Sequence, residues 1–402
     1  MTGGVPIPGP WTVVAVATFA QMMIAMSNIL LPTIAPKLAE ALDVSPILIG
    51  YQVSLTFGVA TAATMFGGKA VLRFGAARAT QISVLCCGAG LALFALPHVA
   101  AIALGSAAVG MGMGLLNPAA AHMLVSYTPP QRRNIMFSIK QTGVPVGGVI
   151  TALTAPVIAV NFGYRWSLLM VGVMIFVIVL VLQRYRELWD ADRGSAPRGG
   201  SAAFGGVPLV WRQAKLRWIS LVAMIFSAIQ RIVLSFTVIY LVAEGHYGLV
   251  EAGVMLSVVQ IGGSASRICW GWLADRLGSS LQVLMIICGI TAASTLLLAL
   301  FDPQWHKGLV YLLFFVIGAT AVGWNGVFHA EAARLSPPGM ASVVAAGTTF
   351  FVFAGVLVGP AAFAAAYGGI GSYGNTFLLV TGSAVAAFGL LLLARRSSGP
   401  TR

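Results

Sequence analysis

Apolar residues run along this chain in long stretches separated by short polar segments, and the pattern repeats twelve times, at residues 11–38, 46–69, 80–96, 99–125, 134–160, 166–182, 218–242, 250–274, 281–301, 308–330, 341–367 and 376–394. Most of these runs reach the roughly 20 residues that carry an α-helix across a hydrocarbon layer of about 30 Å. None keeps the strict apolar–polar alternation of a barrel strand. The predicted fold is an all-α membrane protein of twelve transmembrane helices. Composition agrees: 58% of the 402 residues are hydrophobic, 8% are charged and the mean hydropathy is +0.92. A water-exposed surface needs far more charge than that.

One polar interruption is much longer than the others. Residues 184–217, "RYRELWDADRGSAPRGGSAAFGGVPLVWRQAKLR", are rich in Gly, Ser and Arg and separate six spans from six. They predict a linker between an N-terminal bundle, 1–183, and a C-terminal bundle, 218–402. The two halves also echo each other. "GKAVLRFG" at 68–75 follows span 2 and "GWLADRLG" at 271–278 follows span 8, while Asn117 in span 4 and Asn325 in span 10 each stand twelve residues before a Pro-Pro pair. Two pseudo-symmetric six-helix bundles are expected from such a repeat.

The net charge of +13 and pI near 10.1 would suggest nucleic acid in a soluble protein. In a membrane protein they are read against sidedness. With the N-terminus inside, Lys37, Arg165 and Lys307 fall outside and Lys140, Arg231 and Arg267 fall within spans, so the other 17 of the 23 Lys and Arg are cytoplasmic. Both termini are therefore expected in the cytoplasm, with the lipid bilayer as surrounding partner and no nucleic acid. "MTGGVPIPGPW" lacks a basic leader region and the first span is too long for a cleaved signal, so it is expected to stay as a helix. Cys86, Cys87, Cys269 and Cys288 lie inside spans without metal-type spacing. No disulfide, metal or cofactor is expected, and no nucleophile–base pair or phosphate loop points to an enzyme.

Polar residues inside the spans are the candidate chemistry. Gln260, Ser264 and Arg267 are spaced i, i+4, i+7 and share one face of span 8; Lys140, Gly147, Thr151 and Thr154 form a stripe on span 5; Ser227, Arg231 and Ser235 form another on span 7; Gln21 and Asn28 share a side of span 1. Three cations lie within spans and no acid lies near the middle of any; the nearest, Asp275 and Glu331, sit at span ends. Unmatched positive charge in an enclosed site calls for an anion, and a carboxylate suits a guanidinium fork. The expected substrate-binding set is Arg267, Arg231, Lys140, Gln260, Gln230, Asn117 and Asn325, with Gly262, Gly263 and Gly271 allowing close approach to the arginine. Structural alternatives stand beside each: Lys140 snorkelling to the span end, Arg231 bonding carbonyls or Gln230, the two asparagines bonding neighbouring helices. His122, His329 and Glu331 are candidate proton-relay groups, with packing as the plainer reading for the histidines. Gly143 and Gly147 read as a helix-packing face.

"GWLADRLG" resembles the loop signature of the major facilitator superfamily, and the twelve spans, linker and repeat extend that likeness over nearly the whole chain. The resemblance implies that Asp275 and Arg276, with Gly271 and Gly278, help latch an inward gate; in the first copy Leu72 replaces the acid. Arg267-x3-Gly271-x3-Asp275 is similar to span 8 of the superfamily's monocarboxylate transporters and oxalate/formate exchangers, where the arginine meets the substrate carboxylate. The exchangers' lysine in span 11 has no counterpart, so dicarboxylate specificity does not carry over. "SIKQTGVPVGG" at 138–148 and "GWNGV" at 323–327 look like the cyanate-permease-like bacterial branch, and Thr64 stands where nitrate porters place a second arginine. The expectation is a monomeric secondary transporter of the bacterial inner membrane taking up a small organic anion, a monocarboxylate, by proton symport or anion exchange. The rival is efflux of a drug or metabolite by proton antiport, for which a buried acid to attract cationic cargo is missing.

Overall fold

The computed structural model describes residues 9–129, 132–191, 206–337 and 340–397. The middle of the expected linker, residues 192–205, lies outside the described residues, as does one proline of each Pro-Pro pair, Pro130 and Pro338. The described chain is helical: α1 Pro10–Leu42, a 3-10 turn at Pro46–Leu48, α2 Ile49–Phe74, α3 Ala76–Phe94, α4 Val99–Tyr127, α5 Arg133–Phe162, α6 Tyr164–Trp189, α7 Val207–Arg212, α8 Ala214–Ala243, α9 Leu249–Leu277, α10 Ser280–Ala299, α11 Lys307–Ala321, α12 Asn325–Arg334, α13 Ala341–Ile370 and α14 Tyr373–Arg396. Twelve spans are long and apolar enough to cross a membrane; α11 and α12 together make the tenth, Lys307–Arg334. Large apolar side chains stand outward, Ile268 at 79%, Leu104 at 64% and Phe176 at 62% exposure. Such a surface fits hydrocarbon and would be a liability in water.

Contacts divide the chain into two compact units, Met1–Val44 with Leu55–Ser201, and Ser45–Ser54 with Ala202–Arg402. In the first unit α1 packs along α5 and α3 along α4. Lipid offers no hydrophobic drive between helices, so backbones approach where side chains are smallest. Gly143 and Gly147 serve this purpose: a Cβ on Gly143 would lie 2.5 Å from the Thr18 carbonyl oxygen, and one on Gly147 2.7 Å from that of Met22. In the second unit α8 packs along α13 and α10 along α14. There Ser227 Oγ donates to the Val352 carbonyl at 2.8 Å, and the Thr295 and Thr381 hydroxyls meet at 2.9 Å.

Helix ends leave unpaired N–H groups, and two are closed by acids from other helices. Glu244, just past α8, accepts from the backbone N–H of Tyr373 at 2.5 Å and Gly374 at 2.9 Å, at the start of α14. Asp190, just past α6, is 5% exposed and accepts from Ala77 N at 2.7 Å and Arg78 N at 3.2 Å, at the start of α3. Gly75, at φ +90°, makes the turn into α3, and any Cβ there would overlap the Asp190 carboxylate. Asp190→Ala is expected to lower stability by about 1.5 to 3 kcal/mol, the range for hydrogen bonds to a charged group. Thermal unfolding in detergent checks this, with the exposed Glu187→Ala expected to leave the midpoint unchanged.

Candidate functional site

The tenth span is not one helix. α11 ends at Ala321 and α12 begins at Asn325, so the continuous helix expected over 308–330 is corrected to two pieces joined by Val322, Gly323 and Trp324. A break in a membrane helix strips carbonyls of their partners, and hydrocarbon has no water to replace them. The neighbouring helix supplies the donors. Ser266 Oγ and Trp270 Nε1, both on α9, donate to the Ala319 carbonyl at 2.8 and 2.7 Å. Asn325 Nδ2 donates to the Val322 carbonyl at 3.2 Å. Only glycine fits at 323, where a Cβ would overlap Ser266 Oγ and the Ala319 carbonyl.

Beyond the break, Trp324 is 1% exposed and packs against Phe226 and Phe328, at ring centroid distances of 5.8 and 5.5 Å. Its indole N–H donates to Gln230 Oε1 at 3.2 Å, and Asn325 Nδ2 reaches the same oxygen at 3.3 Å. Two of the expected substrate ligands, Gln230 and Asn325, are thus brought together and bond each other. Arg231 is half-buried on α8 and has interactions of its own.

Arg267 follows Ser266 and precedes Trp270 by three residues, so the helix that braces the break also carries the arginine. Its side chain is half-buried, and its Nε is fully buried with no hydrogen-bond partner among the described residues. Gln260, on the same face, is buried, and its backbone carbonyl accepts from Ser264 Oγ at 2.8 Å. Gly262 and Gly263 do not give the arginine room as expected; they receive α11, a Cβ on Gly262 lying 2.6 Å from the Phe315 carbonyl and one on Gly263 2.5 Å from Val322 Cβ. Gly271 has open space around it.

His329 stands on the exposed side of α12, with Gly326. Glu331 faces the opposite way and is 0% exposed. Its carboxylate accepts from Arg334 Nε at 2.9 Å and Nη2 at 2.6 Å, with Lys215 Nζ 4.0 Å away.

In the first unit Lys140 is 4% exposed and donates to Asn117 Oδ1 at 2.9 Å and Gln141 Oε1 at 3.5 Å. Those acceptors are neutral amides. Gln21, beside Gly143, buries an Oε1 with no partner among the described residues. His122 is half-buried on α4 and has its own interactions.

Asp275 and Arg276 are exposed at the end of α9. The Arg276 guanidinium lies 5.3 Å from the centre of the Trp272 ring, and the Asp275 carboxylate makes no hydrogen bond or ion pair among the described residues. Gly278, at φ +64°, caps the helix. No cluster of three or more His, Cys, Asp or Glu among the described residues is arranged to hold a metal ion.

Twelve spans among the described residues, in two compact units, with one span broken beside a half-buried arginine, define a multi-pass helical membrane protein. It belongs to the Major Facilitator Superfamily, whose sequence profile matches residues 17–360. The chain is 23% identical over 274 residues to a probable hexose phosphate transport protein of Chlamydia pneumoniae, covering 59% of this chain and 58% of that one. It is 19% identical over 378 residues to the benzoate transport protein of Acinetobacter baylyi, covering 83% and 78%. It spans about half the length of the uncharacterized MFS-type transporters it matches in Mycobacterium tuberculosis, at 25% identity. Among solved structures, a bacterial homolog of the human lysosomal transporter Spinster superposes with a TM-score of 0.78 at 14% identity, covering 98% of each chain. These relatives are transporters rather than enzymes.

Ser266→Ala and Trp270→Phe are each expected to cost about 1 kcal/mol, since the other donor still satisfies the Ala319 carbonyl. The double variant should cost more than the sum, because it leaves that carbonyl orphaned. A double-mutant cycle of thermal unfolding measures the excess.

Proposed function

We propose that this protein is a secondary active transporter for a small organic anion, a monocarboxylate, in a bacterial-type cytoplasmic membrane, with both termini on the cytoplasmic side. The single observation that carries the reading is the buried, unpartnered Nε of Arg267. A buried donor of an ionised group left without a partner costs about 1 to 3 kcal/mol or more, and a carboxylate offsets that cost with charge and two acceptor oxygens. The site lies where α11 and α12 break, as substrate sites in carriers commonly lie at discontinuous helices. Two compact units suit alternating access by rocking, the working subunit being a single chain. Benzoate, named for the Acinetobacter relative, is a monocarboxylate of the proposed class, and the hexose phosphate of the chlamydial relative is also an anion.

Arg267 takes the carboxylate in this reading, and Gln260 offers a hydrogen bond beside it. Gln230 and Asn325 hold the break in shape as well as lining it. Arg231 adds positive potential in the same unit, and Lys140 with Asn117 forms a polar cluster of the first unit that takes part in binding. Asp275 and Arg276 act at the gate, with Gly278 turning the chain there. Uptake runs by proton symport or anion exchange. The buried acid nearest the break, Glu331, is engaged by Arg334 and Lys215, which leaves no free carboxylate there to attract a cationic drug.

Purified protein should be stabilised by benzoate and other small monocarboxylates and not by cationic drugs. At about 100 times the dissociation constant, mass action adds about 2.7 kcal/mol. Arg267→Gln should abolish the response while the ligand-free protein unfolds at the same or a higher temperature, because a buried donor without a partner is removed. A stabilising shift from cationic drugs alone, or a carboxylate shift that survives in Arg267→Gln, overturns the reading.

A further inference from the structure

We infer that the corner where α7 meets α8 is a binding site for an anionic phospholipid, whose phosphodiester head is held by Arg217 and Arg212 beside the rings of Trp211 and Trp218. The seventh span starts at Ala214, so the corner stands at a membrane–water boundary. Indole rings favour that depth, and cations there attract anionic headgroups. The Arg217 guanidinium lies 4.8 Å from the centre of the Trp218 ring and 5.7 Å from that of Trp211, and its Nη1 donates to the Trp211 carbonyl at 3.4 Å. These contacts fix the plane of the group. The Trp211 carbonyl is its one acceptor among the described residues, which leaves most of its N–H donors for a ligand.

The rings are held in place before any ligand arrives. α7 is folded back against α13: Val210 is 0% exposed, the Trp211 ring stacks on Phe351 with centroids 6.2 Å apart, and a Cβ on Gly347 would lie 2.5 Å from the Gly206 carbonyl. At the turn into α8, Gln213 Nε2 donates to the Leu335 carbonyl, just past α12, at 3.2 Å. Such preorganisation removes much of the ordering cost of binding. Charge at the corner is one-sided. Lys215 stands 4.0 Å from Glu331, which already accepts two N–H groups of Arg334. Arg212 is exposed and Arg217 half-buried, and neither meets an acid among the described residues. A phosphodiester supplies the missing negative charge and the paired oxygens that a planar guanidinium matches. Trp211, half-exposed, offers apolar surface to the glycerol beside that head. Retention of basic residues at span ends needs cations but no stacked rings. Arg395 and Arg396, exposed at the end of α14, show that plainer pattern, with neither ring nor acid in reach among the described residues.

The test separates this corner from diffuse surface charge. The full chain, purified in an uncharged detergent, is titrated with dioleoylphosphatidylglycerol, with dioleoylphosphatidylcholine or with sodium phosphate, and binding is read as the shift in unfolding temperature. Phosphatidylglycerol should stabilise the wild type at concentrations where the other two have no effect. R212Q/R217Q should bind it about thirtyfold more weakly, the loss expected for two cations at a membrane surface. R217K should bind severalfold more weakly, because an ammonium keeps the charge but not the stacked plane. R395Q/R396Q should match the wild type. Equal weakening in R395Q/R396Q and R212Q/R217Q, or wild-type binding by R217K, assigns the effect to diffuse charge and overturns the site. Stabilisation by sodium phosphate at the same concentrations assigns the corner to a free anion and overturns the lipid, as does phosphatidylcholine that matches phosphatidylglycerol or a wild type that responds to neither. Should R212Q/R217Q fail to fold, R217K and R212Q alone decide by the same comparison.

Discussion

The carbonyl oxygen of Ala319 is the point on which the second unit turns. A helix interrupted inside a bilayer exposes backbone acceptors to a medium that cannot bond them. Ser266 and Trp270 close on that one oxygen from α9, and Asn325 turns back on the Val322 carbonyl. These bonds make the interruption tolerable, and they set what surrounds it. Trp324 is driven into the core between Phe226 and Phe328, Gln230 is fixed by two donors, and α12 leaves with Asn325 and His329 on its open side. Arg267 sits between the two anchored residues of α9, so its backbone is held where the break is held.

Buried charges are treated in three different ways within one chain. Glu331 receives a two-pronged arginine and a nearby lysine. Lys140 receives two neutral amide oxygens, which accept from two of its three N–H donors and leave its charge uncancelled. Arg267 receives neither at its Nε. The rest of that side chain is half-buried, so the cost falls on one buried donor left without a partner.

Much of this was legible in the sequence because the bilayer imposes so coarse a rule. Runs of apolar residues of the right length had to be helices, and all twelve runs correspond to spans of that kind. Helical spacing also placed Gln260, Ser264 and Arg267 on one face, and the small-residue pair Gly143 and Gly147 does lie against α1. What spacing along one helix cannot convey is a bond to another. The break at 322–324 was hidden because its residues are as apolar as their neighbours, and its stabilisers, Ser266 and Trp270, are some fifty residues away in the chain. Gly323 and Gly326 around Trp324 were the available signal, noticed only as part of a family likeness. For the same reason Gly262 and Gly263 were read as room for the arginine when they are room for α11.

Asp190 carries a last consequence, for how the chain tolerates change. A carboxylate from the end of α6 closes the start of α3, a few residues after Leu72. Asp190 lies within the polar interruption, at the end of α6, and its carboxylate ties that end of the first unit to the start of α3. A neutral substitution at this one acid would reach back more than a hundred residues in the chain, to α3.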